Sequence, residues 1–238
     1  NMDYDLVIMM PHISDMDPYD LCRKIKETYS ELPVYFFAYD AGKLLGNEKF
    51  FDRSIIDRTF IWTGNTDLLL ALVKGQEDRL NVEPDTKLAN VRVIILVEDS
   101  PFYLSSLLPY LYKEIVIQTQ AVMDDSLNEK DRILRMRTRP KILVAENYED
   151  AFALYKKFTR YLLCVISDVR YLKGGKEDPQ AGVKLLTEIK KEMPDLPLLM
   201  LSSEESNSDK AHEIPAFFLD KNSPSLHADI RYFFVHYL

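Results

Sequence analysis

Short apolar runs separated by amphipathic stretches dominate the chain, and they fall into two blocks. In the first block, Asp5-Leu-Val-Ile-Met-Met10 is a continuous apolar run of the kind that parallel strands buried on both faces show. Residues 18–28 carry Leu21, Cys22 and Ile25 at helical spacing. Residues 32–38 and 59–63 read as two further strands, with a polar stretch at 41–52 between them. From residue 66, Leu68, Leu69, Leu72 and Val73 line one side of a helix that continues through about residue 80. Pro84 and a polar turn in composition then predict a linker at 83–90.

The second block is longer. Strands are predicted at 91–97, 141–145, 161–167, 196–201 and 216–219, each followed by a polar exit. Helices are predicted from Pro101 to about residue 122, at 147–160, at 182–191 and at 225–238. A charged excursion at about 119–140 interrupts the pattern. Alternating β and α elements with short apolar strands imply a doubly wound parallel sheet, here five-stranded with order 2-1-3-4-5. The first block is then a partial α/β unit of the same type.

Composition narrows the function. Thirty Lys and Arg against 38 Asp and Glu give a net charge of −8, which argues against nucleic acid or an anionic membrane as a direct partner. Seven glycines leave little scope for a glycine-rich phosphate loop. The apolar runs are too short to cross a bilayer, and no charged-apolar-small leader opens the sequence. Cys22 and Cys164 lie in apolar segments with no metal-ligand spacing, so they are expected as reduced structural thiols in a cytoplasm.

Ligands of doubly wound sheets bind beyond the carboxyl ends of the strands, near the switch point. Of the second block's strands, the first ends in Glu98 and Asp99, the third in Asp168 and the fourth in Ser202; Lys221 follows the fifth. With that strand order three carboxylates converge. Such a cluster calls for a divalent cation, and Mg2+ suits carboxylates combined with a phosphate. Ser202 and Lys221 stand ready for phosphate oxygens. The chemistry implied is phosphoryl transfer to Asp168 as nucleophile.

Val97-Glu-Asp-Ser100, Val165-Ile-Ser-Asp-Val169, Leu196-Pro-Leu-Leu-Met-Leu-Ser202 and Phe218-Leu-Asp-Lys221 resemble the four signatures of a response-regulator receiver domain, a flavodoxin-like fold. The resemblance covers residues 91–238. It implies that Glu98, Asp99 and Asp168 hold Mg2+ together with the backbone carbonyl of Arg170. It implies further that Asp168 accepts phosphate from a histidine kinase or phosphotransfer protein, that Ser202 and Lys221 read the phosphate, and that Phe218 is the switch aromatic. Such a domain is a regulatory module and not an enzyme beyond its own phosphorylation and dephosphorylation.

Three departures stand out. The loop between Asp168 and Gly182 is about six residues longer than is usual in the family. Lys221 is followed by Asn222 instead of Pro, so a cis bond there would cost roughly 2.5–4 kcal/mol. The excursion at 119–140 is foreign to a minimal receiver. Residues 1–82 resemble the second half of another, degenerate receiver, with Met10, Ala38 and Thr63 where the acceptor, hydroxyl and lysine belong. Thioether, methyl and hydroxyl groups cannot do that chemistry.

Other readings are weaker. Asp15, Asp17 and Asp20 lack the glycine and closing Glu of a calcium loop and suit a helix cap. The basic run Lys130, Arg132, Arg135, Arg137 and Arg139 reads as a solvated face or an interdomain contact. Tyr232, Phe233, Phe234 and Tyr237 read as core and edge of the last helix, with a homodimer surface as the alternative. A phosphatase with an aspartate nucleophile resembles an Asp-x-Asp pattern, which Arg170 breaks. The whole arrangement resembles the sensory front of bacterial PEP/pyruvate-binding, pyruvate phosphate dikinase-like proteins. The competing function is a non-phosphorylated scaffold that regulates an attached or partner enzyme.

Overall fold

In the computed structural model every apolar run named above forms a strand, and the strands align side by side in parallel. The structure describes residues 4–40, 42, 52–124 and 139–238. The chain divides into two compact units, residues 1–76 with 100–109 and residues 77–99 with 110–238.

The first unit holds a three-stranded parallel sheet of β1 (Val7–Met9), β2 (Val34–Ala38) and β3 (Arg58–Ile61), in that order. Helix α1 (Pro18–Thr28) starts where Asp17 accepts hydrogen bonds from the backbone N–H groups of Tyr19 (2.8 Å) and Asp20 (3.3 Å). Asp17 is a helix cap, and Pro18 stands in the first turn, where its missing N–H costs nothing. Tyr19 and Cys22 face Met9, Val34, Phe36, Ile55 and Ile56 in one buried cluster. Burial pushes the Cys22 thiol up to about 11, and both cysteines are unpaired and buried. Met10, Ala38 and Thr63 stand at or just beyond the carboxyl ends of β1, β2 and β3.

The linker expected at 83–90 is helix instead. Helix α2 runs from Thr66 to Ala89 with Pro84 inside it, and the boundary between the units falls within it, at 76/77. Proline costs an interior helix roughly 3 kcal/mol, so tertiary contacts must offset it. They are present: Val82 and Thr86 are buried, Thr86 donates to the Val82 carbonyl at 2.7 Å, and Asp78 is wholly enclosed. The helix ends where Asn90 takes a positive φ of 52°, a conformation Asn tolerates.

In the second unit β4 (Val93–Val97), β5 (Lys141–Ala145), β6 (Leu162–Asp168), β9 (Leu198–Ser202) and β10 (Phe217–Asp220) form one parallel sheet. Its order, β10-β9-β6-β4-β5, is the 2-1-3-4-5 order of a flavodoxin-like fold. Helices α4 (Tyr148–Phe158), α5 (Ala181–Glu192), α6 (Asn207–Glu213) and α7 (Leu226–Tyr237) follow in turn, after α3 (Pro101–Asp124), which the unit boundary also divides. Central strands are buried on both faces, as their unbroken apolar sequences require. The excursion predicted at 119–140 begins as the end of α3. Its remainder at 125–138, with Lys130, Arg132, Arg135 and Arg137, lies outside the described residues.

Residues 203–214, polar and unassigned from sequence, contain α6, on which Asn207 and Ala211 are buried. The long loop after Asp168 is ordered as well. It is a hairpin of β7 (Tyr171–Lys173) and β8 (Lys176–Asp178), closed by Gly174 and Gly175 at φ 61° and 74°. Two positive φ values in a two-residue loop define a type I′ turn, which fits the twist of the paired strands and favours glycine at both positions.

Candidate functional site

Sheet register brings the site together. Val97 pairs with Ser167 on β6, Asp168 with Leu201 on β9, and Asp220 on β10 with Ser202. Glu98 and Lys221 therefore each stand one residue past a strand whose neighbour ends at the same level. Two backbone bonds hold those steps: the Glu98 N–H donates to Ala145 at 3.0 Å, and the Lys221 N–H donates to Ser202 at 2.8 Å.

The carboxylates of Glu98, Asp99 and Asp168 each present an oxygen within 4.8 Å of the others, the one cluster of this kind among the described residues. The Lys221 ammonium lies 2.6 Å from Glu98 Oε2 and 2.9 Å from Asp168 Oδ1. Glu98 is fully enclosed and the Lys221 side chain is 2% exposed, whereas Asp168 keeps 15% of its side chain open. Burial on its own lowers the Lys221 pKa, but the charges of Glu98 and Asp168 outweigh it and the net shift is upward. Asp99 is pushed up to about 6, first by burial and then by repulsion from Asp168.

Three carboxylates against one ammonium leave an excess of negative charge in a small volume. A hard divalent cation relieves that excess, and an all-oxygen donor set suits Mg2+ or Mn2+. The residues present therefore fit such an ion. Asp99 is the member most dependent on it, because Lys221 is committed to the other two.

The remaining predicted residues take the following places. Ser202 is buried, and its Oγ accepts from the Glu204 N–H at 3.1 Å and from Asn207 Nδ2 at 2.9 Å. Phe218 lies opposite Met200 on the sheet, half-buried against the unit's core. Arg170 is exposed, and its guanidinium lies 2.8 Å from Glu204 and 3.8 Å from Glu177. No peptide bond among the described residues is cis, so the Lys221–Asn222 bond is trans.

Sequence reasoning missed two supports. Gly182, at the start of α5, sits so close to Asp168 that a Cβ there would lie 2.0 Å from the Asp168 carbonyl oxygen. Tyr171 is wholly buried, and its hydroxyl lies 3.1 Å from Ser167 Oγ, which in turn donates to the Asp168 carbonyl at 2.7 Å. The Gly174-Gly175 pair between two three-residue runs was the available signal for the hairpin that carries Tyr171.

Among its described residues the first unit has no counterpart to this cluster of carboxylates. Met10, Ala38 and Thr63 supply neither a carboxylate nor an amine.

No protein-family model matches the chain, and no curated protein does. Solved structures do. A response regulator receiver domain protein from Clostridium thermocellum is 17% identical with a TM-score of 0.41, over 59% of this chain and 90% of that one. The response regulator TrrA from Thermotoga maritima, in complex with Mg(2+)-BeF, is 17% identical with a TM-score of 0.34, over 60% of this chain and 96% of that one. A putative two-component system response regulator/GGDEF domain protein is 13% identical with a TM-score of 0.40, over 97% of this chain and 79% of that one. No described helix is long and apolar enough to cross a membrane.

Proposed function

We propose that the second unit is a receiver of phosphoryl groups in two-component signalling, with Asp168 the acceptor and a histidine kinase or phosphotransfer protein the donor. The observation that carries this reading is the Lys221 ammonium held between Glu98 and Asp168 beside a third carboxylate, Asp99. Lys221 holds Oδ1 of Asp168 at 2.9 Å, which leaves Oδ2 as the attacking oxygen. Oδ2 attacks phosphorus, the bond from phosphorus to the donor breaks, and the donor leaves with that electron pair. Mg2+, held by Asp99 and Asp168 with Glu98 and the Arg170 carbonyl near, would neutralise charge on the phosphoryl oxygens. Lys221 supplies a fixed positive charge to the same oxygens, and the Ser202 hydroxyl a hydrogen bond. The part open to a donor is Asp168, the least enclosed member of the buried pairings.

Phosphorylation adds close to two negative charges at Asp168. Lys221 and Ser202 then gain the phosphoryl oxygens as partners, and Phe218 lies three residues before Lys221 on β10, packed against the unit's core. That strand and α7 form the face through which a signal leaves. Exposed Tyr232, Val235 and Tyr237 on α7 offer apolar contact there for a second copy or another partner.

Intact-mass measurement after incubation with acetyl phosphate and Mg2+ tests the reading. One phosphoryl group is expected on the wild-type protein and none on Asp168→Asn. An unmodified wild-type protein would overturn it in favour of a non-phosphorylated scaffold.

A further inference from the structure

The Ser202 hydroxyl oxygen accepts two hydrogen bonds. A hydroxyl oxygen has two lone pairs and one proton. Both lone pairs are engaged, one by the Glu204 backbone N–H and one by Asn207 Nδ2. What remains is the proton.

The orientation of Asn207 is fixed independently. An ammonium has donors only, and Lys210 Nζ lies 2.8 Å from the amide oxygen of Asn207. Oδ1 therefore faces Lys210, and the Nδ2 donor faces Ser202. Asn207 is itself 4% exposed, so water cannot replace either bond at little cost. The chain of donors runs one way, from Lys210 through Asn207 to the Ser202 oxygen.

We infer that Asn207 is a positioning residue for the phosphoryl transfer proposed above, on which this inference rests. By saturating the oxygen of Ser202 it leaves the hydroxyl able only to donate, and so presents the proton to the incoming phosphoryl group. Asn207 touches no reacting atom and acts through Ser202. Because Asn207 and Lys210 both lie on α6, the same bonds tie that helix to the state of Ser202.

The decisive variant is Asn207→Asp. It keeps the size of the side chain and its attraction to Lys210, yet it turns a donor into an acceptor. The Ser202 proton is then drawn toward residue 207 and away from Asp168. The experiment follows phosphate uptake from acetyl phosphate with Mg2+ by intact mass, in the full chain, for wild type, Asn207→Asp, Asn207→Ala, Ser202→Ala and both double variants. Loss of one directing hydrogen bond is expected to slow uptake about fivefold to tenfold in either Asn207 variant. Neither Asn207 change should slow Ser202→Ala further, since the hydroxyl through which Asn207 acts is gone. Wild-type rates in Asn207→Asp, or a slowing that persists undiminished in the Ser202→Ala background, would overturn the inference. A wild-type protein that takes up no phosphate at all would instead overturn the phosphoacceptor reading beneath it.

Discussion

Lys221 and Glu98 form a buried ion pair at 2.6 Å, Glu98 having no exposed side-chain surface and Lys221 only 2%. Neither has water to fall back on, and Lys221 is shared with Asp168 at 2.9 Å.

Lys221→Met therefore takes the neutralising charge from a buried carboxylate. Breaking a buried pair from one side costs about 3–5 kcal/mol, while replacing both partners by neutral groups costs much less. Urea denaturation should show that loss in Lys221→Met and its substantial recovery in the Glu98→Gln/Lys221→Met double variant. The upward shift of Lys221 sets the sign of the pH dependence. Its stabilisation is complete below the ordinary lysine value and is lost as pH rises through the higher folded value, so the wild-type protein should weaken in alkali more than the double variant.

Asp99 behaves the opposite way to a salt-bridged carboxylate. Its folded value near 6 exceeds the ordinary 3.8, so the metal-free protein loses stability as pH rises between those two values. The same proton competes with Mg2+. Affinity for Mg2+ measured by calorimetry should fall about tenfold for each pH unit below 6, provided one proton is displaced per ion. Asp99→Asn should bind weakly at every pH. Binding that does not change between pH 5 and pH 7 would show, in roughly this range, that Asp99 is not a ligand.

Much of this site can be read from the chain because a parallel strand buried on both faces is apolar to its end. Glu98, Asp168, Ser202 and Lys221 stand at or just past the ends of such runs, and the strand order then decides which of them meet. Other features were illegible for a physical reason. Asp78 is one of several charged residues late in its helix, and its partner Arg139 is 61 residues away. Pro84 reads as a stop unless the burial of Val82 and Thr86 around it is known. Asn207 is one polar residue among several until α6 turns it back onto Ser202. The Gly174-Gly175 hairpin is different, since two adjacent glycines carry its turn chemistry in the sequence itself.

Gly182 tests how closely the site depends on backbone packing. The atoms its Cβ would meet belong to the backbone of Asp168 and Val169, at 2.0 and 2.9 Å, and cannot rotate away. Gly182 also donates to the Val169 carbonyl at 2.9 Å. Gly182→Ala must push α5 off the end of β6. Overpacking of this kind costs about 1–3 kcal/mol. Phosphate uptake should fall together with the melting temperature, because the residue displaced is Asp168 itself. Unchanged uptake in a destabilised Gly182→Ala protein would show that Asp168 holds its place without α5.

Asp78 gives the converse case, stability without chemistry. Its buried carboxylate takes both guanidinium nitrogens of Arg139 at 2.6 and 3.1 Å, the Tyr112 hydroxyl at 2.8 Å and the Ile142 N–H at 2.9 Å. Lys141, which pairs with Asp85 at 2.7 Å, adds charge 3.6 Å away. Arg139, Lys141 and Ile142 lie at the amino end of β5 and Tyr112 on α3, whereas the Glu98, Asp99 and Asp168 cluster lies at the carboxyl ends of the strands. Five residues of strand separate the two ends by roughly 13–17 Å. Asp78→Ala takes the shared carboxylate from a largely buried cation and two buried donors, at a cost of about 3–5 kcal/mol. The urea midpoint should drop accordingly, while phosphate uptake per folded molecule at low temperature should stay at the wild-type rate. Uptake that falls with Asp78→Ala in protein still fully folded by circular dichroism would mean that the amino end of the sheet is coupled to the site, and that the clamp does more than hold α2 to β5.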